Sequence, residues 1–186
     1  AKAARDVPQE FVGDEAHRGD MVWSAAVPEE LRSRATAVIG NFPVSQAAQY
    51  TRLEWLQTFS AGVDAYICPG VLPRGTMVTN ASGAYGQSVS EHLFATMWAL
   101  MKNLNRYASN QRDHQWQDEG PVLSPEGGIA LIIGVGDIGS HFAQLAQSVG
   151  MRTFGVRRHA DVPAKGIEKM YGFERLETLL PLADVV

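Results

Sequence analysis

From Ser88 to Asp113 the chain has no Gly or Pro, and apolar residues fall at Val89, Leu93, Met97, Leu100, Leu104 and Tyr107. Steps of three and four residues are the period of one helical face. Phe94, Trp98 and Met101 widen the stripe. One helix of about 25 residues is predicted, long enough to bridge two domains or two subunits. Before it, residues 1–86 alternate short apolar pieces with Pro, Gly and Asn. "EFVG", "TAVIG", "LEWLQTF" and "TMVTN" read as short strands. "PEELRSR" (28–34) reads as a helix with Pro28 at its start, and "QAAQYTRLEW", from Gln46, as a second helix. A sheet with intervening helices is the simplest assembly.

After the long helix, "SNQRDHQWQDEGPVLSPEGG" (109–128) reads as a helix end followed by a linker. "GIALIIG" is apolar without alternation, the pattern of a strand covered on both faces of a parallel sheet. "DIGSHFAQLAQSVG" is a helix with Phe142, Leu145, Ala146 and Val149 on its apolar face and Gly150 as its cap. "MRTFGVRR" is the next strand. "FERLETLLPLADVV" gives a short helix, Pro181, and the first residues of another strand. Strand–helix–strand order predicts the α/β class.

Composition adds exclusions. Of 186 residues, 45% are hydrophobic and 19% charged, with a formal charge of −4. That is an ordinary soluble balance, without the basic runs of a nucleic-acid binder. The longest apolar run, "IALII", is too short to span a membrane, and the first residues lack the apolar core of a leader peptide. Cys68 is the sole cysteine, so neither an internal disulfide nor a cysteine-based metal cluster is expected, which fits a reducing cytoplasm. Cys68 itself reads as a small, partly buried residue.

Gly134, Gly136 and Gly139 form G-x-G-x-x-G between the predicted strand and helix, the context this motif requires to hold a dinucleotide. Gly134 allows the tight turn, Gly136 leaves room for a pyrophosphate, and Gly139 lets helix and strand pack closely. Free amides around Ile138 and Gly139 would face the phosphates. Asp137, beside them, is expected to point to solvent or to favour the helix dipole. An NAD site wants an acid about 20 residues past the first glycine, at the end of the second strand. Here Arg157, 23 residues past Gly134, and Arg158 occupy that place, and the nearest acid is Asp161. An arginine neutralises a 2′-phosphate, so NADP is favoured, with NAD possible. None of the five histidines sits in an obvious His–acid pair, no metal-ligand spacing is present, and no catalytic residue is assigned.

"LQTFSAGVD" (56–64), "VTNASGAYG" (78–86), "SEHLFATMWAL" (90–100) and "GVGDIGSHFAQLAQSVGMRTFGVRR" (134–158) together resemble the D-isomer-specific 2-hydroxyacid dehydrogenases, a family that includes glyoxylate/hydroxypyruvate reductases and phosphoglycerate dehydrogenase. The similarity runs from about Leu53 to Val186. The resemblance implies a flavodoxin-like substrate domain and a Rossmann-type dinucleotide-binding domain inserted into it, both incomplete. These would be residues 1–86 and 119–186, with a linking helix and hinge over 87–118. It implies that the backbone of Ala61, Gly62 and Val63 binds the substrate carboxylate. Ala84, Tyr85 and Gly86 would line the interdomain region, with Tyr85 at the substrate, and Met97 would lie near the nicotinamide. The long helix would support a homodimer. Small residues in "SAGVD" suit exposed amides that hold an anion.

The resemblance places the family's catalytic arginine, glutamate and histidine beyond Val186. The chain is therefore expected to be part of a longer protein and inactive alone. The expected function is interconversion of a 2-keto acid and a D-2-hydroxy acid. A truncated, non-catalytic dinucleotide-binding or subunit-interaction protein is the alternative, and a formate dehydrogenase is a weaker one.

Overall fold

A computed structural model describes residues 27–186; the "EFVG" piece lies outside the described residues. The chain divides into two compact units between Ser82 and Gly83.

The first unit holds α1 (Glu29–Arg32), β1 (Ala37–Ile39), β2 (Trp55–Gln57), α2 (Asp64–Ile67) and β3 (Met77–Thr79). The strands are parallel in the order β1-β2-β3, with Val38, Leu56 and Val78 in register. Leu56 is fully buried and joins Phe42, Ala47, Tyr50, Leu53 and Tyr66 in one core. The Phe42 and Tyr50 rings stack at 4.2 Å. The Tyr66 hydroxyl donates to the Phe42 carbonyl at 2.6 Å and accepts its N–H at 3.1 Å. Burial pushes that phenol's pKa up. The helix expected from Gln46 is instead a 3₁₀ turn, Val44–Gln49, closed by Tyr50 at φ −87°, ψ 58°. Burial of the Tyr50 and Leu53 side chains turns the chain into β2 before a longer helix forms. Cys68 is exposed rather than partly buried. It lies just past α2, with its thiol donating to the Asp64 carbonyl.

The second unit begins with α3 (Gly86–Met101) and α4 (Leu104–Arg112). The single long helix predicted here is thus broken. Asn103 takes the left-handed conformation, φ 52°, which Asn tolerates better than most residues. Its side-chain amide donates to the Glu119 and Pro121 carbonyls at 3.3 and 3.4 Å. The buried face also differs from the predicted stripe. Ser90, Met97 and Met101 are buried, whereas Leu93, Leu100 and Leu104 are exposed. Phe94 on the buried side meets Phe142 edge-on, with ring centroids 6.4 Å apart.

β4 (Ile129–Ile133), α5 (Asp137–Ser148), β5 (Arg152–Val156), β6 (Lys169–Tyr171) and α6 (Leu176–Leu179) follow. The sheet is parallel in the order β4-β5-β6, and Val185 bridges Ala130 on the free side of β4. The spatial order is therefore β6-β5-β4-Val185, which reverses direction at β4, as in a Rossmann-type dinucleotide-binding sheet. β4 is covered on both faces. Ala130 and Ile132 join the cluster with α3 and α5, and Leu131 joins Phe154, Val156 and Leu179. β6 has no counterpart among the predicted strands, because its three residues are at most half-buried. α5 ends as predicted, with Gly150 at φ 83°. Gly150 N–H bonds the Gln147 carbonyl, and Met151 N–H the Ala146 carbonyl, the paired bonds of a Schellman motif. No helix among the described residues is long and apolar enough to cross a membrane.

Candidate functional site

The turn from β4 into α5 lies beside the reversal of strand order, where open α/β sheets bind ligands. Its three glycines are constrained in three different ways. Gly134 has φ 93°, which side-chain-bearing residues rarely adopt. At Gly139 a Cβ would lie 2.3 Å from the Gly134 carbonyl oxygen, so helix and strand are packed too closely for any other residue. At Gly136 a Cβ would meet nothing within 4 Å. The open space is therefore at the middle glycine, where a diphosphate would need to approach the backbone. The α5 ladder starts with Ser140 N–H on the Gly136 carbonyl. The amides of Asp137, Ile138 and Gly139 precede it, as the first N–H groups of any helix do. They carry the positive end of the helix dipole. The chain thus fits the diphosphate of a dinucleotide in backbone shape and in charge.

Asp137 is in the first turn of α5. A Cβ on Gly86, the first residue of α3, would lie 2.5 Å from each of its carboxylate oxygens. The carboxylate therefore sits at two helix N-termini, a favourable place for negative charge. His141 Nδ1 is 3.4 Å from it and 2.9 Å from the Asp137 carbonyl.

Val135 is buried. Its floor is Gly155 in β5, where a Cβ would stand 2.7 Å from Val135 Cγ2. Nothing local in the sequence marks Gly155, whose constraint arises only when the two strands are paired. The two arginines after β5 differ. Arg157 is half-buried, and its guanidinium donates to three backbone carbonyls: Val135 at 3.3 Å, His159 at 2.9 Å, and Val162. Arg158 is exposed.

Met97 is buried and lines a cavity of about 510 Å³ with Gly134, Ile138, Gly139 and Phe142. Gly136, Asp137 and the arginines lie outside its lining. Tyr85 is half-buried at the start of α3, its carbonyl accepting the Val89 N–H.

In the first unit, Ala61 and Gly62 are exposed and Val63 half-buried, between β2 and α2. The carbonyls around them are each held by a local donor. Thr58 Oγ1 donates to Ser60 O at 2.8 Å, Asn80 Nδ2 to Ala61 O at 2.6 Å, and Ser60 Oγ to Gly62 O at 2.8 Å. Asn41 braces the same loop, accepting the Phe59 N–H at 2.8 Å and donating to Ser60 Oγ at 3.1 Å. A trans peptide points its N–H opposite to its C=O. With the Ser60, Ala61 and Gly62 carbonyls held by these donors, the N–H groups of Ala61, Gly62 and Val63 point away from the donors. Such an array of amides holds a small anion. The bracing Asn41 was invisible in the sequence, because its partners lie 18 and 19 residues away. Among the described residues no group of three or more His, Cys, Asp or Glu could hold a metal ion.

A family model described as D-isomer specific 2-hydroxyacid dehydrogenase, NAD binding domain, matches residues 94–186. A glycerate dehydrogenase of Methylorubrum extorquens is 25% identical over 169 residues, which are 86% of this chain and 51% of that protein. A D-3-phosphoglycerate dehydrogenase of Bacillus subtilis is 31% identical over 102 residues, 54% of this chain and 19% of that protein. Among solved structures, a D-isomer specific 2-hydroxyacid dehydrogenase family protein from Aeromonas salmonicida subsp. salmonicida A449 matches with a TM-score of 0.74 and 29% identity, covering 84% of this chain and 50% of that one. The chain spans about half the length of these broadly matching relatives.

Proposed function

The chain belongs to the D-isomer specific 2-hydroxyacid dehydrogenase family, and we propose that the whole protein interconverts a 2-keto acid and a D-2-hydroxy acid with a nicotinamide dinucleotide, NADP preferred. The observation that carries this reading is the glycine loop, closed at Gly139 and open at Gly136. Gly136, Ile138 and Gly139 would hold the diphosphate by backbone amides, Gly134 would make the turn that presents them, and Met97 would contribute to the cofactor's apolar surroundings. Asp137 would stay off the phosphates, held at the start of α3 beside Gly86. Arg158, exposed just past β5, is the candidate for the 2′-phosphate, since guanidinium suits a phosphate oxygen pair.

The amides of Ala61, Gly62 and Val63 would bind the substrate carboxylate, with Asn41 and Asn80 fixing the loop. The bound nicotinamide supplies hydride chemistry that no side chain provides. The residues of this chain bind and orient. A homodimer would cover exposed Leu104 on α4, since exposed apolar surface marks interaction sites.

The test is a steady-state assay of the whole protein with glyoxylate, hydroxypyruvate and pyruvate, run with NADPH and with NADH. Turnover of at least one acid, with higher kcat/KM for NADPH, is expected. Absence of turnover with all three acids and both cofactors would overturn the proposal.

A further inference from the structure

Arg157 and Arg158 are neighbours in sequence with different surroundings. Arg158 is exposed, whereas Arg157 is half-buried and folded back onto the chain. Its Nη1 reaches the Val135 carbonyl, 22 residues earlier, at 3.3 Å. Its Nε reaches the His159 carbonyl at 2.9 Å, and Nη2 the Val162 carbonyl. One side chain thus ties the loop after β5 to the middle of the glycine loop. Val135 is otherwise fixed by its buried side chain over Gly155, and Gly134 N–H is fixed on the Val156 carbonyl. The peptide joining Val135 to Gly136 is trans, so its N–H points opposite to the carbonyl that Arg157 holds. That N–H belongs to Gly136, the glycine with open space above it.

Building on the dinucleotide reading above, we infer that Arg157 is a positioning residue for the diphosphate rather than a 2′-phosphate ligand. It orients the Gly136 amide by holding the Val135 carbonyl, and it locks the 157–162 loop to the same peptide. The diphosphate is common to NAD and NADP. Loss of Arg157 therefore weakens both dinucleotides equally, while loss of Arg158 weakens NADP alone.

The experiment measures dissociation constants for NADPH and NADH on this protein, wild type, Arg157→Gln and Arg158→Gln. Amide hydrogen exchange of the ligand-free proteins is followed in parallel. Arg157→Gln is expected to weaken both dinucleotides by roughly tenfold, the scale of a lost charged hydrogen bond, at an unchanged NADPH-to-NADH ratio. Exchange of the Gly134 N–H, bonded to the Val156 carbonyl, and of the Val162 N–H, bonded to the His159 carbonyl, should quicken, while that of Leu131 in β4 stays slow, which separates a loosened loop from a misfolded unit. Arg158→Gln should lower the ratio and leave NADH affinity as it was. If Arg157→Gln weakens NADPH alone, or changes neither affinity nor loop exchange, the inference is overturned while dinucleotide binding stands. If wild-type protein binds neither dinucleotide, the underlying reading falls with it.

Discussion

Gly139 and the carbonyl oxygen of Gly134 approach so closely that a Cβ on Gly139 would lie 2.3 Å from that oxygen. Gly136, three residues earlier, has φ −103° and no neighbour within 4 Å of a Cβ. One glycine serves packing and the other leaves space. Gly139→Ala is expected to lower stability by about 1–3 kcal/mol through overpacking. Gly136→Ala should destabilise less than Gly139→Ala, since its Cβ would meet nothing within 4 Å, and weaken both dinucleotides. Thermal melts together with NADPH titrations check this; a Gly136→Ala protein as destabilised as Gly139→Ala, or one that binds NADPH as the wild type does, would contradict it.

Asn80 holds the Ala61 carbonyl at 2.6 Å, the shortest of the bonds that fix that loop's carbonyls. Asn80→Ala is expected to raise KM for the 2-keto acid by roughly tenfold, at a cost typical of one well-made hydrogen bond at a binding site. The dissociation constant for NADPH should not change. Steady-state kinetics of the whole enzyme, paired with cofactor titration, measure both; equal loss in the two would argue against a carboxylate site at Ala61–Val63.

Gly150 closes α5 at φ 83°, with Glu126 Cγ 3.2 Å from where a Cβ would stand. Gly150→Ala should cost about 1 kcal/mol, the penalty for a side chain in the left-handed region, and urea unfolding measures it. Asn103→Ala at the α3–α4 break should cost about 1–2 kcal/mol for the same reason, since its φ is 52°.

Arg152 donates to Glu168 at 2.8 and 3.1 Å, and that guanidinium holds the carboxyl below its ordinary pKa. A lowered folded-state pKa adds stability above the unfolded-state value, and this is lost as pH falls through the folded-state value. The melting temperatures of wild type and Glu168→Gln should therefore differ most near neutrality and converge in acid. A gap independent of pH would show that the pair contributes through packing instead.

Where the sequence was readable, one short segment carried its own reason. β4, the glycine turn and α5 follow from "GIALIIGVGDIGSHFAQ", because strand burial, glycine spacing and helical periodicity are all local. Gly150 was legible for the same reason. The buried face of α3 was not, since apolar residues lie on both sides and only packing against Phe142 selects Phe94, Met97 and Met101 over Leu93 and Leu100. The break at Asn103 depends on carbonyls at Glu119 and Pro121. The difference between Arg157 and Arg158 depends on a carbonyl at Val135. Each of these is a long-range contact that residue type alone does not announce.

The most direct measurement is an equilibrium titration of the protein with NADPH and NADH, followed by nicotinamide fluorescence. Saturable binding of both, tighter for NADPH, is the expected result, with Gly136→Ala weakening both. Absence of saturable binding to either would contradict the dinucleotide site at Gly134–Gly139, and tighter binding of NADH would contradict the assignment of Arg158 to a 2′-phosphate.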